Sequence, residues 1–203
     1  MTRLTASILT GYSTMHTDSK LEQDLRTLER FNESIPDYLR SNTLFYPTGP
    51  HYPQLTFGGF LMRQHRLLLL RNQLDQNGKN RLDKIIADFQ GALNNNIVRF
   101  EAKCHKELPA RLRQWIEYLR DIQVDRSVRN YYKTSIEPRV MIDAIVTQLQ
   151  LPPYQLNSDV PKRLEALDMR LRSRWIQGEF IWEAGWQPAY PKAVYWYLYG
   201  EIA

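Results

Sequence analysis

Residues 57–74 read FGGFLMRQHRLLLLRNQL, and how this stretch folds decides the rest. At about 100° per residue, Leu61, Met62, Leu68 and Leu69 gather on one side, and Phe60, Leu67, Leu70 and Leu74 on the other. A helix apolar on two sides runs between neighbours, so the segment is expected to be the central helix of a bundle, from Phe57 or Phe60 to Leu74. Gly58 and Gly59 permit close backbone approach at its start, and DQNGKN is expected to end it with Gly78 in the turn. His65 and Asn72 lie along the first side and Arg63 within the second, so at least one polar group is expected to be buried and to need a partner.

Upstream, Leu21, Leu25, Leu28 and Ile35 recur at helical spacing. They predict a helix capped by Thr17 or Asp18 and reaching Arg40, with Pro36 kinking it or ending its regular part. Residues 1–16 are expected to be poorly structured and 17–203 to form one helical domain. Between the first two helices, SNTLFYPTGPHYPQLT holds three prolines and a glycine, which marks a long irregular loop carrying Tyr46, His51 and Tyr52.

Downstream, Leu82, Ile86, Phe89, Leu93, Ile97, Phe100, Cys104 and Leu108 form one amphipathic stripe and predict one long helix. Pro109 is expected to kink or restart it, after which Leu112, Trp115, Ile116, Leu119 and Ile122 continue the apolar face. Within Asn94, Asn95 and Asn96, a poor run for a helix, Asn96 borders the stripe and is expected to bond between helices. Pro138 suits the first turn of a helix reaching Gln150. Ser158 or Asp159 with Pro161 opens another, whose stripe is Leu164, Leu167, Leu171 and Trp175. No convincing strand alternation is visible, and Pro191 is expected to start a short closing helix that stops at Gly200. The expectation is an all-α bundle of five or six helices, with the long aromatic loop and an aromatic extension, 178–203, packed on it.

That extension contains FIWEAGWQPAYPKAVYWYLYG, with eight aromatic residues. Pro188, Pro191 and Gly185 exclude one continuous membrane-surface helix, and the stretch is expected to close the core of the bundle.

Composition bounds the chemistry. Hydrophobic residues at 43% and charged residues at 24% are those of a packed globular chain, which excludes global disorder. The single cysteine, Cys104, forms no internal disulfide, which suits a reducing, cytoplasmic setting. No secretory leader is recognisable, nor any apolar run near the roughly 20 residues of a membrane-spanning helix. Net charge is +5, with five bases against six acids in residues 1–56 and twenty-two against sixteen thereafter. Such a balance permits nucleic acid or anionic lipid as a partner without requiring either.

No catalytic residue can be named: there is no Gly-x-Ser-x-Gly and no phosphate-cradling glycine motif, and Cys104 sits in an apolar stripe. No metal site or other cofactor is expected. Glu101 and His105 share a helix face, but the Glu-x-x-His pairs of di-iron bundles are absent. His65 is expected to be a buried histidine bonded to a neighbouring helix. Arg163, Arg170 and Arg174 share a helix flank that could track phosphates, although stems packed on the bundle and ion pairing explain them as well. One composite site is conceivable if loop and tail meet: Tyr46, His51 and Tyr52 with Trp182 and Trp186 would line a pocket whose polar contacts come from Arg63 or His65.

Three function classes follow. The leading one is a non-catalytic helical domain acting through protein contacts, self-association included. The second is a basic nucleic-acid binder through Arg163, Arg170 and Arg174. The third is a small-molecule-binding protein or enzyme using the pocket near Arg63 and His65.

Overall fold

The computed structural model describes the backbone of residues 4–203 and the side chains from residue 20 onward. The chain is mostly helical with one small two-stranded sheet. The first helix, α1, spans Leu4–Arg40 and runs through Pro36. Its described part buries Leu21, Leu25, Leu28, Phe31, Ile35 and Tyr38 on one face. The backbone of α1 already runs through Thr17 and Asp18, so the expected cap there does not start it; the segment 1–16, expected to be poorly structured, lies outside the residues described with side chains.

The three-proline loop is closed at its base by an antiparallel bridge between Tyr46 and Leu55, with N–O distances of 2.8 and 3.0 Å. At its tip Gly49 holds φ +127°, a conformation that side-chain-bearing residues rarely adopt. Thr56 then caps α2, Phe57–Leu69, by accepting from the Gly59 N–H at 3.1 Å. A single 3₁₀ turn, Arg71–Gln73, follows.

α2 packs against α1, against the later helices α4 (Ile97–Val124) and α6 (Glu137–Leu149), and against the tail. Phe60, Leu61, Met62, Leu67 and Leu70 are buried, but Leu68 and Leu69 are 42% and 52% exposed. The apolar girdle therefore covers less of the last turn than the leucine run implies. The chain then tightens into the 3₁₀ segment, whose residues are half-buried or exposed between the buried Leu70 and Leu74.

The stripe from Leu82 to Leu108 belongs to two helices and not one. α3, Gln76–Asn94, ends where α4 begins at Ile97. The break falls in the asparagine triplet, and the Asn96 amide turns back to donate to the Ala92 carbonyl at 2.9 Å, a local bond and not one between packed neighbours. Gly78 lies in the first turn of α3, its N–H held by the Asp75 cap at 2.6 Å, so DQNGKN starts this helix as well as ending the stretch before it. α4 passes through Pro109 without restarting. Phe57, Phe60, Phe89 and Phe100 meet where α2, α3 and α4 converge, with ring centroids 4.2 to 6.3 Å apart. Burying each such ring is worth about 1.5–3 kcal/mol.

A 3₁₀ segment and the single-turn helix α5, Tyr132–Ser135, lead into α6, with Pro138 in its first turn. α7 spans Asp159–Arg172 and buries Leu164, Leu167 and Leu171. Two expectations fail beyond it. Trp175 leaves the helix and begins strand β1, Trp175–Phe180, and the tail forms 3₁₀ turns and strand β2, Tyr199–Ile202, in place of a closing helix. β1 and β2 pair antiparallel with a register shift after Gln177. Gly200, at φ +146°, permits the crossing: a Cβ there would sit 2.1 Å from the Ile176 carbonyl oxygen. Ala189, Tyr190, Tyr197 and Leu198 are fully buried, so the tail contributes to the core.

No helix among the described residues is long and apolar enough to cross a membrane.

Candidate functional site

Arg63 and Arg66 are three residues apart on α2 and both point toward α1, where they meet a single carboxylate, Asp24. Arg63 Nε lies 3.4 Å from Asp24 Oδ1 and Arg66 Nε 3.0 Å from Asp24 Oδ2, neither aligned as a hydrogen bond. Arg63 donates through Nη1 to the Gly59 carbonyl at 2.9 Å. Arg66, only 3% exposed, makes no aligned hydrogen bond among the described residues. Its guanidinium lies 3.6 Å from the Trp186 ring centroid and 5.9 Å from that of Trp182. Burial pulls the Arg63 guanidinium below its ordinary value, against the opposing pull of Asp24 and Glu137.

These groups floor a cleft of about 360 Å³. α1 supplies Lys20, Gln23, Asp24 and Thr27, the loop Pro53, and α5 with α6 Lys133, Thr134 and Glu137. The tail closes it with Trp182, Glu183 and Trp186. Two tethers position the tail: the Trp182 indole N–H donates to the Lys133 carbonyl at 2.8 Å, and Lys20 forms an ion pair with Glu183. Among the described residues, four cations thus face three carboxylates across the lining.

The cleft also concentrates unsatisfied polarity. Asp24 Oδ2, Arg63 Nε, Arg66 Nε and the Trp186 indole N–H are buried without a hydrogen-bond partner among the described residues. Tyr190, whose charge interactions tie it to Asp24, Arg63 and Arg66, has a buried unpaired hydroxyl and a phenol pushed up to about 12 by burial.

Two other buried arginines differ. Arg111 on α4 donates to Glu107 at 3.0 Å, to Gln114 at 3.1 Å and to Thr56 at 3.1 Å. Arg139 on α6 holds Asp168 of α7 through two bonds of 2.9 and 3.1 Å and also bonds Asp143, which in turn accepts from the Tyr197 hydroxyl. In both networks every guanidinium nitrogen donates a hydrogen bond, and the networks clamp elements together. Arg66 is buried as deeply, yet its donors are not used.

Of the residues the sequence singles out, Arg63, Trp182 and Trp186 line this cleft. His51 and Tyr52 line a groove beside it, which shares Gln23, Thr27 and Pro53 with the cleft. Loop and tail therefore meet at the cleft through Pro53. Tyr46 does not take part: it packs on Tyr38, ring centroids 5.9 Å apart. His65 stands on another face of α2, under the tail. Its Nε2 is 2.9 Å from the Ala189 carbonyl, which can only accept, so the proton resides on Nε2. The Tyr195 hydroxyl lies 3.3 Å from the same nitrogen. His65 thus bonds to a 3₁₀ turn of the tail and not to an α-helix of the bundle.

Glu101 and His105 hold a loop: both contact the backbone of Gln155, the carboxylate accepting its N–H at 3.2 Å and the imidazole lying 2.9 Å from its carbonyl. No group of three or more His, Cys, Asp or Glu side chains capable of holding a metal occurs among the described residues. Burial raises the Cys104 thiol well above its ordinary value, which keeps it un-ionised. Arg163, Arg170 and Arg174 are exposed and form no ion pair among the described residues.

Asp24, Arg66, Lys20 and Lys133 are absent from the sequence reading. The detectable signals were an aspartate directly preceding Leu25 of a leucine stripe, and a second arginine three residues after Arg63.

Neither a family model nor a curated protein nor a solved structure matches the chain.

Proposed function

We propose that the protein binds a small molecule bearing one carboxylate and an apolar body in the cleft between α1, α2 and the tail. The observation that carries this reading is Arg66: a guanidinium buried to 97% shares one misaligned carboxylate with Arg63 and, among the described residues, makes no hydrogen bond. Burying a cation without full hydrogen bonding is unfavourable, and a ligand anion in the cleft would offset that. The excess of one positive charge across the lining matches a single negative charge. Trp182 and Pro53 provide apolar wall, and a cleft of about 360 Å³ falls in the range of small-ligand sites.

The test is calorimetric titration of the full chain with phenylacetate. One-to-one binding is expected, weakened about tenfold or more by Arg66→Gln, which removes a charge-assisted hydrogen bond. Exposed Lys133→Ala, which leaves the core untouched, should weaken it by a smaller factor. An absence of binding to the folded wild-type chain overturns the reading.

Self-association is the second reading, supported by the adjacent exposed Leu68 and Leu69 at the end of α2. It predicts a mass in solution above that of one chain, reduced to the monomer by Leu68→Glu with Leu69→Glu. A monomeric wild-type chain at high concentration removes it.

A further inference from the structure

Gln23, Thr27 and Pro53 of the cleft also line a second hollow, with His51 and Tyr52, and Arg26, His51 and Tyr52 in turn line a third, with Arg30 and Glu33, under the loop tip at Gly49. The three hollows thus lie in a row beside α1. The charge along the row is uneven. In the outer part Arg26 pairs with Glu22 at 2.8 Å and Arg30 with Glu33 at 2.8 Å, while Arg30 Nε also donates to the Thr48 carbonyl at 2.6 Å. Glu29, the third carboxylate of this part, pairs with Arg81 at 2.6 Å, so each outer charge is offset, whereas the cleft end holds, among the described residues, the surplus cation and the unsatisfied Nε donors of Arg63 and Arg66.

We propose that this row of hollows binds the carboxyl terminus of an extended peptide, with the terminal carboxylate on Arg63 and Arg66 and the chain running outward past Thr27 and Pro53 to Tyr52. The proposal rests on the anion-binding reading of the cleft. The complementarity is specific in form: one negative charge at one end, then an uncharged polar chain beside neutralised ion pairs. The length agrees. From Asp24 to Glu33 α1 rises about 14 Å at ~1.5 Å per residue, which accommodates about four extended residues at ~3.3 Å each. Along that path the Gln23 amide offers a donor and an acceptor for peptide backbone, the Thr27 hydroxyl, whose proton goes to the Gln23 carbonyl at 2.8 Å, offers an acceptor, and Tyr52 and Pro53 offer apolar contact for alternate side chains.

The experiment follows intrinsic tryptophan fluorescence of the full chain during titration with three probes: phenylacetate, the N-acetylated tetrapeptide Ala-Ala-Ala-Phe as free acid, and the same peptide as C-terminal amide. The free acid is expected to bind about tenfold tighter than phenylacetate and about tenfold tighter than the amide. Tyr52→Ala, a substitution at an exposed position, is expected to weaken the free acid severalfold and leave phenylacetate unchanged. Equal affinity for phenylacetate and the free acid, or for acid and amide, overturns the peptide proposal while leaving the cleft as a carboxylate site. If no probe binds, phenylacetate included, the underlying reading of the cleft falls, and this proposal with it.

Discussion

A methyl group at position 58 has nowhere to go. An added Cβ would lie 2.7 Å from Glu107 Oε1, 3.1 Å from Ile145 Cδ1 and 3.1 Å from Met141 Cβ. The glutamate cannot yield, because its carboxylate is already engaged by the Gly58 N–H at 2.9 Å and by Arg111 at 3.0 Å. Gly58→Ala therefore has to push α4 or α6 off α2, and overpacking of this kind costs about 1–3 kcal/mol. Chemical denaturation should show a lower midpoint with an unchanged slope. His65 makes a pH prediction. Burial holds its imidazole below the ordinary value, only partly opposed by the Ala189 carbonyl. The unfolded chain then takes up a proton more readily than the folded one, so the contribution is complete above the unfolded value of about 6.5 and is lost as pH falls through it toward the depressed folded value. Melting temperature should drop between pH 7.5 and pH 5.5, and His65→Gln should flatten that drop. An equal drop in both chains contradicts this role for His65. Glu29, held low by Arg81, is lost only below the ordinary carboxylate range and does not confuse the window.

At the scale of elements, the helices with one-sided stripes are legible because their burial repeats every three to four residues: Leu82, Phe89, Leu93, Phe100, Cys104 and Leu108 are all buried. The break between α3 and α4 is not visible in that stripe, because two helices meeting end to end keep their apolar faces in phase. Only the asparagines mark it. The strands escape notice for a different reason. β1 is exposed along Ile176, Gln177, Gly178 and Glu179, so no alternation of apolar and polar residues betrays it, and its pairing partner lies some twenty residues downstream. Burial of Tyr190, Tyr197 and Leu198, with the Tyr132 hydroxyl donating to the Tyr197 carbonyl at 2.7 Å and that of Tyr199 to the Tyr190 carbonyl at 2.7 Å, makes the tail part of the domain. Truncation after Gly178 strips those aromatics and leaves β1 unpaired. The expected outcome is loss of cooperative thermal unfolding, read by circular dichroism. A truncated chain that melts cooperatively would mean the tail is an accessory.

For the molecule as a whole, the cleft exists only because four distant parts of the chain converge. Asp24, Arg66, Lys133 and Trp186 come from α1, α2, α5 and the tail, and no local pattern could bring them together. Sequence periodicity does suggest Arg63 and the two tryptophans, since a charge within an apolar face and exposed-capable aromatics in a proline-broken tail both ask for partners. It misplaces His65 and Tyr46, because a residue on the correct helix or loop can still face the wrong way. The exposed Arg163, Arg170 and Arg174 contribute to the net charge of +5 but border no built pocket of useful size.

The central claim, that Arg66 and its neighbours hold a carboxylate, is tested most directly by native mass spectrometry of the full chain with excess phenylacetate. One bound ligand per chain is expected in the wild type, and its loss in Arg66→Gln. A wild-type chain that is folded yet takes up no phenylacetate, or an Arg66→Gln chain that takes it up equally well, would contradict the claim.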